Sequence, residues 1–477
     1  MDCPAPVEMI EGTGRTSIFL PRTSPDPIKQ NDPADLDTPI PCRYRRDAAC
    51  GDCVPTRHGG RMALDISKPI DADDPDAKRL LAGLQGNILK SHGRDHSVLV
   101  FFQFSDRKLA ARWIREVAQT VTTALRHVEE ARRFSSFRIP GSLFVNVFLS
   151  ATGMKHLGLK TPRSEAFTAG AADAGKRLAD PPSETWEAPY RNPIDGMILL
   201  ADDDLHYLSR EAAGIFESVG DAARIVAVER GTVLRNSAGD PIEHFGYADG
   251  LSQPVFLKSD LRRNRRRQWD TAAGPSLVLV NDPNSDGYGS YLVYRKLEQD
   301  VPAFKAKEEE LSAALGLGED SELGGALVVG RFEDGTPVIH QPYGGLSPAP
   351  NDFNYARDPL GSRCPMHAHI RLVNPRTHES TEHRIARRGI PYGAPGDDQV
   401  GLLFLCFQAN IEAQFERLQI NQHNRDGLTG IDCAPQAWPS RWDGSGRTTF
   451  AFGGFVRLQG AAYLFAPSTR TLNELNG

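Results

Sequence analysis

Three short segments of this 477-residue sequence gather the residue types that do chemistry. The first, His244-Phe-Gly-Tyr-Ala-Asp-Gly250, continues as Leu-Ser-Gln-Pro254 and sets a single acid, Asp249, among glycines. Glycine accepts backbone conformations that other residues resist, so this spacing suggests a tight turn holding one carboxylate in a fixed place. An Asp before a Gly is also an ordinary turn-stabilising pair. The second segment, Cys364-Pro-Met-His-Ala-His-Ile-Arg-Leu-Val-Asn-Pro-Arg376, offers two imidazoles, His367 and His369, and two guanidiniums, Arg371 and Arg376. The two histidines share a face if the segment is a strand and do not if it is a helix. The third, His383-Arg-Ile-Ala-Arg-Arg-Gly-Ile-Pro-Tyr-Gly393, contains the adjacent pair Arg387 and Arg388, of which only one should face a common site.

Other groups carry weaker signals. Seven cysteines are present, four of them (Cys3, Cys42, Cys50, Cys53) within the first 53 residues. Cys50 and Cys53 form a C-x-x-C pair with His58 nearby, but zinc sites usually show a second well-spaced ligand pair, so reduced thiols in a loose tail are the simpler reading. Cys364, Cys406 and Cys433 are scattered through the body. Arg262, Arg263, Arg265, Arg266 and Arg267 form a basic run closed by Trp269, read as a solvated loop because a nucleic-acid patch needs more organisation around it.

The elements that must position these groups alternate. Ala77–Leu84 begins a helical pattern. Ser97–Phe104 is an aromatic and β-branched strand, and Ser105-Asp106 caps a helix expected over Lys108–Arg133. Ser142–Ser150, Met197–Ala201, Arg224–Val228, Ser290–Lys296, Gly401–Gln408 and Thr448–Phe465 supply further strands, with a helix expected over Val301–Leu315. The stretches 98–113 and 291–306 both read as aromatic strand, acidic turn and amphipathic helix, a weak sign of two similar halves. The balance argues for α+β with antiparallel sheets rather than a regular parallel α/β fold. Residues 1–75, rich in Pro, Asp and Arg, are expected to be irregular.

Bulk properties exclude some classes. Hydrophobic residues make up 40% and charged residues 24%, an ordinary globular composition. Lys+Arg is 55 against Asp+Glu 61, a net charge of -6, which gives no support to a nucleic-acid or anionic-membrane binder. No stretch approaches the roughly 18 apolar residues of a membrane span, and no secretory or twin-arginine signal is apparent, so a cytoplasmic location is expected.

In their order, the three segments resemble the dye-decolourising peroxidase family. Its G-x-x-D-G turn stands here as Gly246-Tyr-Ala-Asp-Gly250, its haem-ligand segment as Ala368-His-Ile-Arg-Leu-Val-Asn-Pro-Arg376, and its R-R-G as Arg387-Arg-Gly389. Leu84-Gln-Gly-Asn-Ile-Leu89 and Gly401-Leu-Leu-Phe404 extend the likeness across most of the chain after the first 75 residues. The resemblance implies an α+β fold of two ferredoxin-like halves with antiparallel sheets and flanking helices, of the dimeric α+β barrel type. The halves would cover 76–240 and 241–477, the second binding one haem b per chain.

It implies His369, rather than His367, as the axial ligand of the haem iron, and Asp249 and Arg387 as the acid and the cation on the peroxide side. Arg376 and Arg371 are expected either to reach the haem propionates or only to hold their segment. The axial imidazole needs an acceptor on its other nitrogen, for which Glu412 and Asn410 are candidates. Trp438, Trp442 and Tyr392 are candidates for relaying electrons from bulky donors, with ordinary packing as their plainer role. The implied partners are hydrogen peroxide and aromatic dye or phenolic donors, with no nucleic acid and no membrane, and with self-association left open. The alternatives are a haem-binding or haem-handling protein with incidental peroxidase activity, and a structural protein that binds no haem.

Overall fold

A computed structural model describes residues 64–261, 268–317, 321–423, 425–430, 434–444 and 446–476. The cysteine-rich start with Cys3, Cys42, Cys50, Cys53 and His58, the arginine run at 262–267 and Cys433 lie outside the described residues. Everything described below belongs to the unit 62–477.

Its centre is a ten-stranded antiparallel sheet. From one end of the path to the other, eight strands run Ile390–Tyr392, Gly401–Gln408, Tyr288–Gln299, Val456–Ala466, Phe144–Leu149, Gly196–Asp202, His96–Phe104 and Ala223–Thr232. The first four and the last four repeat one arrangement. Numbered by chain order within each half, the strands lie second, third, first, fourth. Helices follow the first and third strand of each half: Arg107–Ala118 and Leu205–Ser218 in one, Val301–Leu315 and the consecutive pair Ile411–Glu416 and Arg417–Gln422 in the other. This is the ferredoxin-like plan twice over.

The halves join through the pairing of Phe465 with Leu149, so their sheets become one. The path's two end strands come together where the Gly231 backbone abuts Ile390, curling the sheet toward a barrel. That explains strands such as Phe144–Leu149 and Gly196–Asp202, buried on both faces and therefore largely apolar instead of alternating.

Local chemistry accounts for the helix limits. Asp106 accepts from the Lys108 and Leu109 N–H groups, and Asp300 caps Val301–Leu315, which ends at left-handed Gly316. The helix expected over Lys108–Arg133 is two helices, Arg107–Ala118 and Ala124–Phe137. Between them, the β-branched stretch Thr120–Thr123 leaves the helix. There the Thr122 N–H bonds to the Val145 carbonyl, and Thr123 caps the second helix through the Arg126 N–H. Residues 64–74, expected to belong to the irregular extension, have no helix but are tied to the body. Ile70 bonds to Phe256 and Lys258, and the Ile66 carbonyl accepts from Ser276.

One core lies between the sheet and its helices. A second, around Phe245, Phe304, Leu327, Phe353 and Trp438, lies beneath the helices Val301–Leu315 and Ser321–Val329. No helix among the described residues is long and apolar enough to cross a membrane.

Candidate active site

The turn carrying Asp249 is built from its own backbone and one buried acid. The Glu243 carboxylate accepts from the Phe245 N–H (2.9 Å) and the Tyr247 N–H (3.0 Å). Phe245 stacks on Phe304 with ring centroids 4.0 Å apart. Gly246 at φ 100° and Gly250 at φ 80° supply the left-handed bends the loop requires. Burial pushes the Glu243 carboxyl up to about 7, against the pull of its three hydrogen-bond donors, the third being Gln299. The Asp249 N–H is fixed by the Pro241 carbonyl.

Asp249 faces Arg387, with Oδ1 3.3 Å from Nη2 and both side chains part-exposed. Arg387 sits in a two-residue strand paired with Phe407 and Cys406, and its N–H donates to Gln253 Oε1 (3.0 Å). Arg388 points the other way. Its guanidinium is buried against the Asn87, Ile88 and Arg387 carbonyls, and burial lowers its pKa to about 9. Strand alternation therefore separates the two neighbours, as expected.

Across the cavity, His369 opens the short helix His369–Val373. Its Nδ1 lies 2.7 Å from Asp426 Oδ2, a carboxylate that also accepts from Thr429 Oγ1 (2.7 Å), Gln422 Nε2 (3.0 Å) and the Leu428 N–H (3.0 Å). Burial alone would raise the Asp426 pKa; the imidazole and these donors outweigh it and hold the group below the ordinary carboxylate value. With Nδ1 so engaged, Nε2 is the nitrogen left for a metal. His367, before the helix, is buried edge-on against Trp438 and does not line the cavity.

Asp249, Arg387 and His369 thus line one cavity of about 240 Å³. Its walls include Val329, Ile370, Leu402, Phe404, Phe415 and Leu428, and three further arginines, Arg295, Arg331 and Arg384, line it. Among the described residues, no group of three or more His, Cys, Asp or Glu could hold a bare metal ion. A lone imidazole with a carboxylate behind it, apolar walls and peripheral guanidiniums instead suit an iron whose equatorial ligands come with a flat, apolar, doubly acidic macrocycle. The residues therefore fit haem.

Several expectations change. Arg376, expected either to reach the haem propionates or only to hold its segment, does not line the cavity. Its guanidinium is committed to the Asn351 and Phe353 carbonyls, Asn351 Oδ1 and Ser252 Oγ, and lies 3.7 Å over the Phe353 ring. Arg371 likewise holds Asp358 and the Cys364 carbonyl. The candidates for the imidazole's partner are both engaged elsewhere: Glu412 accepts from Ser164 and Ala166, and Asn410 caps the following helix at Ala413. Trp438 and Trp442 are anchored through their indole N–H groups to the Phe450 and Val338 carbonyls. Tyr392 is buried under Lys296, 5.1 Å from its ring. Sequence reading missed Asp426, Arg331 and Arg384. Arg331 had one visible sign, a single cation closing the apolar run 323–330.

Known proteins resemble the chain over most of its length. Residues 259–430 match the family model described as Dyp-type peroxidase, C-terminal, and residues 83–234 match the DyP dimeric alpha+beta barrel domain. The chain is 37% identical over 467 residues to the multifunctional dye peroxidase DyP2 of Amycolatopsis sp., covering 87% of this chain and 100% of that protein. It is 29% identical to a dye-decolorizing peroxidase of Exidia glandulosa, covering 82% and 85%. The solved structure of an Anabaena sp. DyP-type peroxidase superposes with a TM-score of 0.82 at 38% identity, over 85% of this chain and 97% of that one.

Proposed function

The chain belongs to the dye-decolourising peroxidase family, and from that premise we propose how its own residues carry the reaction of a haem peroxidase that oxidises organic donors with peroxide. Bound haem supplies an iron that peroxide oxidises by two electrons and that organic donors return in one-electron steps. His369 Nε2 would hold that iron, with Asp426 keeping the Nδ1 proton and the ring plane fixed. We infer one haem b per chain, held by the C-terminal half, 241–477.

On the opposite side, Asp249 moves the proton. The Gly250 N–H (2.6 Å) and Arg387 both engage Oδ1, which leaves Oδ2 to take a proton from one peroxide oxygen and give it to the other, so that the second departs as water. Arg387 holds Asp249 in place and stabilises negative charge on the departing oxygen through its fixed fork of donors. Dyes and phenols are the proposed donors. A passive haem carrier would need His369 but leaves Asp249 and Arg387 without a task.

The observation that carries this reading is a single cavity flanked by the Asp249–Arg387 pair and the His369–Asp426 pair. The test is haem titration of the purified chain, followed by bleaching of an anthraquinone dye with peroxide. Saturation at one haem per chain and peroxide-dependent bleaching are expected. Saturation without bleaching by peroxide would refute the catalytic reading.

A further inference from the structure

Tyr247 is the tyrosine that lines the cavity, two residues before Asp249, and no tryptophan lines it among the described residues. Its phenol is buried and its hydroxyl donates to Glu308 Oε1. Glu308, buried on the helix Val301–Leu315, lies 2.9 Å from Lys305 Nζ, and Lys305 is 2.7 Å from Glu333, which is half exposed. The row Tyr247–Glu308–Lys305–Glu333 thus runs from the cavity to solvent. Gly325, on the facing helix, makes room for it: a methyl group there would overlap both the Tyr247 hydroxyl and the Glu308 carboxylate. Phe304 packs edge-on against the Tyr247 ring. None of these contacts is required by the proton transfer assigned to Asp249.

We propose that Tyr247 is a built-in one-electron donor to the peroxide-oxidised haem, giving up its phenolic proton to Glu308 as the electron leaves. This rests on the haem peroxidase reading above. A phenol cannot lose an electron in an apolar site and keep its proton, because the resulting cation would be a very strong acid with no solvent around it. Prior ionisation is closed as well, since burial, then the Glu308 charge, hold the Tyr247 pKa well above its ordinary value. Electron and proton therefore leave together, and a base already hydrogen-bonded to the hydroxyl is what that requires. Burial raises the Glu308 pKa, improving it as an acceptor, against the opposing pull of Lys305 and the Tyr247 hydrogen bond.

The balance closes. The O–H bond of Tyr247 breaks, its proton forms a bond to Glu308, and one electron reduces the oxidised haem by one step. The tyrosyl radical is then reduced by one electron from an organic donor, and Glu308 returns the proton. Other tyrosines also have carboxylate partners, Tyr190 with Glu229 and Tyr463 with Glu416, but neither lines the cavity.

The test mixes the haem-loaded full chain with one equivalent of hydrogen peroxide and no donor, freeze-quenches it, and records the EPR spectrum with ordinary and ring-deuterated tyrosine. A tyrosyl signal that narrows on deuteration is expected in wild type and absent in Tyr247→Phe, with formation slowed about a hundredfold in Glu308→Gln. Its formation should also slow in D2O. Gly325→Ala, which displaces the pair while keeping both groups, is expected to lower the yield. Melting curves and the resting haem spectrum check that each variant is folded and loaded. An undiminished signal in Tyr247→Phe overturns the proposal, and so does a formation rate unchanged in Glu308→Gln. Absence of the signal in wild type, with the haem absorption nonetheless shifted by peroxide, overturns this proposal and leaves the peroxidase reading standing. A haem absorption that peroxide does not move overturns both.

Discussion

Replacing Asp426 by Asn changes one charge and almost no volume behind the imidazole. Among the described residues, four donors converge on this buried carboxylate: His369 Nδ1, Gln422 Nε2 and Thr429 Oγ1 on Oδ2, and the Leu428 N–H on Oδ1. An asparagine can place its single acceptor where three donors meet, but its NH2 group then faces the Leu428 N–H. The reverse orientation sets the NH2 group against His369. Either way at least one buried donor loses its acceptor, which costs about 1–3 kcal/mol of stability. The imidazole also loses its anionic partner. Loss of such a partner weakens metal binding by about 10–100-fold, or roughly 1.4–2.8 kcal/mol. Titration of the haem-free protein followed at the Soret band measures the first quantity. The ferric–ferrous potential, expected to rise once the negative charge behind the imidazole is gone, gives an independent second. A folded Asp426→Asn protein with wild-type haem affinity and potential would refute the assignment of His369 as ligand and Asp426 as its support.

Arg387→Gln keeps a polar group beside Asp249 but removes the charged fork, so its rate of reaction with peroxide should fall about 10²–10³-fold; stopped-flow absorbance measures it, and an unchanged rate would remove Arg387 from the chemistry. Arg376→Met should lower stability by about 2–4 kcal/mol, because the carbonyls and hydroxyl it holds lose their donor. One haem per chain should still bind, and lost haem with an unchanged melting temperature would return Arg376 to the cofactor. Glu243 has a carboxyl raised from 4.5 to about 7 in the folded chain. Its contribution to stability is therefore fully present below about pH 4.5 and is lost as pH rises through 7. Between those limits wild type should lose about 3 kcal/mol relative to Glu243→Gln. Denaturant midpoints across that range check this, and parallel curves for the two proteins would contradict it.

Features written in local spacing were legible. Asp300 before an apolar-periodic run and Gly316 after it delimit Val301–Leu315, and the strand Gly401–Gln408 needed only its own composition. The separation of Arg387 from Arg388 follows from alternation alone. What was not legible is what depends on distant parts of the chain. Asp426 lies 57 residues from His369, with no pattern linking them, while Glu412, nearer a recognisable strand end, is drawn away by Ser164 on the other half. The strand-or-helix question at His367 and His369 turned on Ala368, the residue that precedes the helix His369–Val373 and leaves His367 in the turn before it. The break at 119–123 came from a neighbouring strand competing for the Thr122 N–H, and the fusion of two sheets into one rests on the pairing of Phe465 with Leu149.

The central claim is that His369 and Asp249 act on opposite sides of one haem, the first holding the iron and the second moving the proton. It is tested most directly by stopped-flow absorbance of haem-loaded wild type, His369→Ala and Asp249→Asn mixed with peroxide. Wild type should show a rapid Soret shift. Asp249→Asn should keep its resting haem spectrum and react about 10²–10⁴-fold more slowly, while His369→Ala should lose haem or lose the resting spectrum, with imidazole in solution restoring it. Wild-type kinetics in Asp249→Asn, or a wild-type haem spectrum in His369→Ala, would contradict the account.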